Sequence, residues 1–295
     1  MVGIHPRSKF LTAGAFVTAL TFRSAGAAGA TVSQIPLPPT DIPTPHGPVL
    51  AYALFNWFFT AVVIILLVRE AWRTRSAFPL AFLVAGTLSS IVEPVFDGNI
   101  HVWFAQLHDT AAYRFYNVSY PWYEMPGNAL LGGPMYLMYY LFKRGVSSRA
   151  LWGFFFLWWG TDSFQELPGT TMAAYGYFGP HPFVISGFPV WVGMLAGLGF
   201  PLAGYAAYGL SKVLSGVRLW LMTVILLPVV EYGCEVIAWP MWITLNGGAD
   251  LHVTRWMALL SLVFTLCAYY FLTLSYARER AMTSSRVNMS VANAA

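Results

Sequence analysis

Long apolar runs separated by short polar stretches dominate the chain. Seven of these runs approach or exceed the roughly 20 residues that let an α-helix cross a bilayer. They lie at about Leu50–Val68, Phe78–Asp97, Pro126–Phe142, Ala150–Leu167, Pro189–Leu210, Leu219–Trp242 and Trp256–Tyr276. In hydrocarbon every backbone polar group must be satisfied inside the segment, which favours helices. The pattern therefore predicts an all-α, polytopic integral membrane bundle with seven spans. Ahead of it, Arg7 and Lys9 precede an apolar run from Phe10 to Phe22 and small residues near Ala25–Ala30. Residues 1–30 read either as a signal peptide or as a short additional, eighth span. Pro36, Pro38, Pro39, Pro43, Pro45 and Pro48 mark residues 31–48 as an extended linker. The bundle then occupies 49–277 and a tail 278–295.

Basic residues fix an expected orientation. Arg69, Arg73 and Arg75 share one connection, Lys143, Arg144 and Arg149 another, and Lys212 and Arg218 a third. Arg278, Arg280 and Arg286 lie in the tail. These segments alternate along the chain, so all fall on one side, which the positive-inside rule assigns to the cytoplasm. The reading is a plasma-membrane protein with a cytoplasmic C-terminus and an extracytoplasmic linker. The outer connection Gly98–Pro121 carries His101, His108, Asp109, Arg114 and many aromatics, and reads as a lid or an interfacial segment. It also holds the sequon Asn117-Val118-Ser119.

Composition sharpens this picture. The 295 residues are 57% hydrophobic and only 9% charged, against about 25% charged in soluble domains. The net charge of +4 sits in the short basic connections, so nucleic acid is not an expected partner. The bilayer and an apolar small molecule are, and the oligomeric state stays open. Cys234 and Cys267 fall inside predicted spans and read as packing residues.

The chemistry lies in the acids. Of 12 acidic residues, half form three pairs in or at the ends of predicted spans. The pairs are Glu93 with Asp97, Asp162 with Glu166, and Glu231 with Glu235. Each has i,i+4 spacing, which puts both carboxyls on one helical face. All three helices run outward in the predicted topology, so the pairs occupy the extracytoplasmic half. A carboxylate at a helix centre costs about 2.5–3.5 kcal/mol on insertion scales. Such groups need a polar interior or a shared proton. A carboxylic acid kept neutral there is a general acid, and a neighbouring carboxylate is its base. The six acids are the candidate catalytic residues. Trp159, Tyr232, Trp239 and Trp122 are the candidate substrate-binding aromatics, since aromatic faces stabilise cationic intermediates.

Other chemistries find less support. No Lys lies in the last span for a retinal Schiff base, and no His-x-x-His clusters suit a di-iron hydroxylase. Metal binding through His101, His108, His181 or His252 is demanded by no spacing, and no cofactor is called for. Asp162-x-x-x-Glu166 loosely matches the Asp-x-x-x-Asp of membrane prenyltransferases but lacks basic partners for a diphosphate.

Several motifs together resemble the AveC-like spirocyclase family of actinobacterial membrane proteins. They are Glu93-Pro94-x-x-Asp97, Trp159-Gly160-x-Asp162-x-x-x-Glu166, Tyr175-x-Tyr177-x-Gly179-Pro180 and Gly187-Phe188-Pro189-x-Trp191. The resemblance covers roughly residues 80–210 and extends weakly to 250. It implies acid-catalysed ring closure of the spiroketal type and an associated dehydration. The catalytic candidates themselves rest on the physical argument.

The expected function is an intramembrane, cofactor-independent cyclase or dehydratase acting on an apolar polyketide- or terpenoid-like substrate. The alternative is a proton-coupled transporter or carrier, against which the sequence shows no inverted repeat and no paired broken helices. A structural or assembly partner would explain Gly193, Gly197 and Gly199 as helix-packing residues but not the acids.

Overall fold

The computed structural model of the chain describes residues 45–105, 111–115 and 118–292. The N-terminal segment, nearly all of the proline-rich stretch, His108, Asp109 and the sequon asparagine lie outside the described residues. The linker was expected to reach residue 48, yet helix α1 begins at His46. Pro48 sits in its first turn, where a missing N–H removes no helical bond.

All seven predicted runs are helical. They are α1 (His46–Thr74), α2 (Phe78–Asn99), a broken third run, α5 (Ser148–Thr171), α6 (Val190–Val213), a kinked sixth run and α9 (Leu251–Ala292). Five of these segments are long and apolar enough to cross a membrane: α1, α2, α6, the sixth run over Gly216–Asn246, and α9. The architecture is thus an all-α bundle with five candidate membrane helices. The other two runs fall short for different reasons. α5 has the length, but Asp162, Ser163, Gln165 and Glu166 dilute its apolar character. The third run is divided into α3 (Glu124–Gly127), a 3-10 turn (Asn128–Leu131) and α4 (Gly132–Lys143). Pro126, Gly127, Gly132, Gly133 and Pro134 crowd this stretch and disfavour a continuous helix.

The sixth run breaks in a similar way. α7 (Gly216–Cys234) passes into a 3-10 turn (Glu235–Ala238) and then α8 (Trp239–Asn246), with Pro240 at the new start. The third and sixth runs thus each contain a 3-10 turn, where glycine and proline flank it.

Within the bundle α2 packs along α7, α7 along α6, α6 along α4, and α4 returns to α2. α5 lies on α6, α9 on α8 and α6, and α1 on α2. Backbones approach closely at Gly86, where an added Cβ would stand 2.7 Å from the Asn128 carbonyl oxygen. Gly197 of α6 plays the same part against α5, with a Cβ falling 2.9 Å from the Phe155 carbonyl oxygen. Small residues thus let helices meet at backbone distance.

The basic connections gather at one end. Arg280 donates to the Val146 carbonyl at 2.9 Å, Lys212 pairs with Glu279, and Tyr136 donates to Glu70 at 3.1 Å. From that end α2 runs to a layer of short strands at the other. β1 (Val102–Phe104) pairs antiparallel with β4 (Tyr175–Tyr177), β2 (Ala111–Phe115) with β3 (Val118–Pro121), and β5 (Val184–Ile185) with β6 (Phe188–Pro189). The outer connection is therefore partly a β-layer, which the apolar pattern did not predict. Tyr113 of β2 ties it to α2, because Pro94 leaves the Ser90 carbonyl without its helical donor and the Tyr113 hydroxyl donates to it instead.

Candidate functional site

Beneath the strand layer the helices enclose a cavity of about 100 Å³. Its floor comes from the C-terminal halves of α2, α5 and α7 and the N-terminal half of α6. The α3 turn and α1 close one side, and β1 and β4 close the top. Alternation along the paired strands does this last job. Val102 and Phe104 face Tyr177 and Tyr175 across the ladder, and all four line the cavity.

All six sequence-predicted acids line this one chamber: Glu93 and Asp97 from α2, Asp162 and Glu166 from α5, Glu231 from α7 and Glu235 at its end. The i,i+4 spacing holds for the first two pairs on regular helix. Glu235 instead opens the 3-10 turn, which still turns it inward. A seventh acid, Glu124, joins them from α3. It has no partner at i,i+4 among acids, so spacing did not reveal it. Among the described residues no lysine or arginine lines the chamber, and none of the seven carboxyls is in an ion pair.

Neutral donors take the place of cations. Glu93 accepts from the Tyr120 hydroxyl and from Asn128 Nδ2 at 2.5 Å, and Asn128 also donates to Tyr120 at 3.0 Å. Glu166 Oε2 accepts from the Tyr175 hydroxyl at 2.8 Å and the Tyr177 hydroxyl at 3.2 Å. Ser89 donates to Glu231 at 3.3 Å. Asn56 Nδ2 donates to Glu124 at 3.3 Å, and Gln165 donates to the Asn56 amide oxygen at 3.4 Å. Three buried carboxyl oxygens among the described residues have no partner: Asp97 Oδ2, Glu124 Oε1 and Glu235 Oε2. The chamber thus holds some carboxyls as fixed acceptors and leaves others free to give or take a proton.

The four aromatic candidates divide. Tyr232 lines the chamber. The three tryptophans are not among its lining residues, because each indole has a packing partner elsewhere. Trp159 donates its N–H to the Val190 carbonyl at 3.1 Å, Trp122 packs on Trp57, and Trp239 stacks on Phe264 with about half its surface exposed. The walls are instead Tyr52, Phe96, Phe104, Tyr175, Tyr177 and Phe200. Of these, Tyr175 and Tyr177 stood out in the sequence in the run Tyr175-x-Tyr177-x-Gly179-Pro180.

His101 and His181 belong to the strand layer, while His252 lies in the first turn of α9. His101 stacks on Phe178 with ring centres 4.8 Å apart and contacts Asn246 at 3.3 Å through Nε2. His181 stacks on Trp191. Burial, and then the neighbouring His101, push its imidazole down to about 4. Among the described residues no three His, Cys, Asp or Glu side chains converge as metal ligands. No family model, curated protein or solved structure matches the chain.

Proposed function

We propose that the chain is an intramembrane acid–base catalyst that closes a ring or removes water on an apolar, polyketide- or terpenoid-like substrate. The observation that carries this reading is the convergence of seven carboxyls and four tyrosines on one chamber, with no lysine or arginine in its lining among the described residues. Such a site has proton donors and acceptors in fixed positions.

The chemistry runs in two steps. A protonated carboxyl, with Asp97 and Glu235 best placed by their unpartnered oxygens, protonates the hydroxyl of a hemiketal. The C–O bond breaks, water leaves, and an oxocarbenium ion remains. A second hydroxyl of the substrate then attacks that carbon and forms the new C–O bond. Its proton passes to a carboxylate, for which Glu93 and Glu166 are positioned by their tyrosine and asparagine donors. Loss of a neighbouring C–H proton in place of attack gives the dehydrated product. General acid–base catalysis contributes about 10²–10⁴-fold, enough for a reaction that mild acid already promotes. A chamber of about 100 Å³ admits the reacting group and not a whole polyketide. The resemblance to the AveC-like spirocyclases points to the same reaction class.

In this reading all seven helical runs cross the plasma membrane, the basic end and C-terminus are cytoplasmic, and the chamber lies in the extracytoplasmic half. Deletion of the encoding gene, with mass spectrometry of lipid extracts, tests the function. The deletion strain accumulates a compound heavier by one water or an uncyclised isomer. Wild type corrects it, and Glu93→Gln, Asp162→Asn and Glu231→Gln, expressed at normal levels, do not. An unchanged profile, or full correction by the three variants, rejects the enzyme.

One observation favours a second reading, a proton-coupled carrier. The third and sixth runs break at 3-10 turns that contribute Asn128 and Glu235 to the chamber, and broken helices at a central acidic site are a transporter trait. Substrate-dependent proton flux in liposomes, without chemical change of the substrate, decides for the carrier.

A further inference from the structure

The chamber contains more acceptors than the protein supplies donors. The donors of Tyr120, Asn128, Tyr175, Tyr177, Ser89 and Asn56 are committed to Glu93, Glu166, Glu231 and one oxygen of Glu124. That leaves Asp97 Oδ2, Glu124 Oε1 and Glu235 Oε2 without a partner, on side chains only 5%, 7% and 7% exposed. These oxygens come from three separate elements, α2, α3 and the turn after α7, and line the same space. A buried acceptor left unmatched costs about 1–3 kcal/mol, more when charged, so three in one cavity describe a site shaped for something that answers them. Among the described residues no lysine or arginine lines the chamber, so for the ionised carboxyls the complement that the lining lacks is a group with positive charge.

The walls narrow its nature. Phe96, Phe104 and Phe200 and the rings of Tyr52, Tyr177 and Tyr232 surround the carboxyls. Aromatic faces attract a desolvated organic cation by about 2 kcal/mol each. Among the described residues no three acids converge to ligate a bare metal ion, and the surrounding rings suit an organic cation. Size sets the upper limit. An engineered cavity of roughly 150 Å³ takes benzene, so about 100 Å³ suits a head of four or five heavy atoms. A methylated ammonium has that size.

We infer that the chamber is a binding site for a compact organic cation of alkylammonium type. Its link to catalysis rests on the function proposed above: there, the site is where the positive charge of the oxocarbenium ion is held, and a stable ammonium imitates that intermediate. The binding itself does not depend on that reading.

The test uses the full chain in detergent, choline as probe, and 3,3-dimethylbutan-1-ol as its uncharged isostere. Calorimetric titration at alkaline pH, where Asp97 and Glu235 have lost the protons they carry in the proposed first step, gives choline a Kd lower than the alcohol's by about tenfold or more. Asp97→Asn and Glu235→Gln each weaken choline about tenfold and leave the alcohol unchanged. Glu70→Gln, at the opposite end of the bundle, changes neither. Equal affinity for choline and the alcohol overturns the inference, and this comparison needs no variant to fold. So does displacement of choline by sodium or magnesium chloride beyond what choline-free ionic strength explains. Failure of choline to bind, with the metabolite defect of the acid variants intact, removes this inference and leaves the catalyst standing. Choline binding with full metabolic correction by the acid variants keeps the cation site and removes ring closure.

Discussion

Glu93 shows how one residue acquires a role. Its carboxyl enters an apolar bundle at an energetic cost, and the Tyr120 hydroxyl and the Asn128 amide offset that cost by aiming two donors at one oxygen. Hydrogen bonds to a charged group are worth about 1.5–3 kcal/mol. Tyr120→Phe therefore lowers unfolding stability by about that amount, read as a shift in the denaturation midpoint in detergent, while Phe115→Leu on the exposed side of the strand layer is neutral. His181 carries the pH dependence. Its folded value, about 4, lies below the roughly 6.5 of an unfolded histidine. The unfolded chain therefore binds a proton first as pH falls. The stability linked to neutral His181 is complete above about 6.5 and is lost progressively down to about 4, for a total near 3 kcal/mol. His181→Phe flattens the melting temperature across that window, and an unchanged slope refutes the assignment.

At the scale of elements, proline and glycine decide where helices bend and touch. Pro94 orphans the Ser90 carbonyl, and Tyr113 reaches over from the strand layer to cap it. Tyr113→Phe leaves that acceptor bare at a cost of about 1–3 kcal/mol. In a Pro94→Ala background the helix supplies its own donor, so the same substitution costs clearly less, and a double-mutant cycle in thermal unfolding measures the difference. Gly86→Ala pushes a methyl into the Asn128 carbonyl and destabilises by about 1–3 kcal/mol, loosening the turn that holds Asn128 against Glu93. The helical runs themselves were legible, since an apolar stretch of bilayer length has one common solution. The breaks at Asn128–Leu131 and Glu235–Ala238 were less so: Pro126 and Pro240 were in plain view, but the apolar count runs across them. The β-layer was not legible, because β1 and β4 are only three residues each and pair across more than 70 positions.

The whole molecule separates its charges. Most of the basic side chains among the described residues collect at one end, and seven carboxyls converge beneath the strand layer at the other, joined by helices such as α2. Six of the seven chamber acids were found from spacing alone, and their convergence followed from the cost of exposing them to lipid. Glu124 escaped that argument because only the folded chain brings α3 against α2 and α5. The tryptophans misled for a related reason. A large aromatic near an acid in sequence is drawn to whatever helix or interface packs it, and Trp159, Trp122 and Trp239 each found a partner outside the chamber. Glu124 gives the most direct test of the claim that the chamber acts as one acidic unit. In the deletion strain, lipid-extract mass spectrometry is compared for complementation by Glu124→Gln and by Glu70→Gln at matched expression. The account predicts that Glu124→Gln leaves the precursor uncorrected, as Glu93→Gln does, and that Glu70→Gln restores the wild-type profile. Full correction by Glu124→Gln, or failure of Glu70→Gln alone, contradicts it.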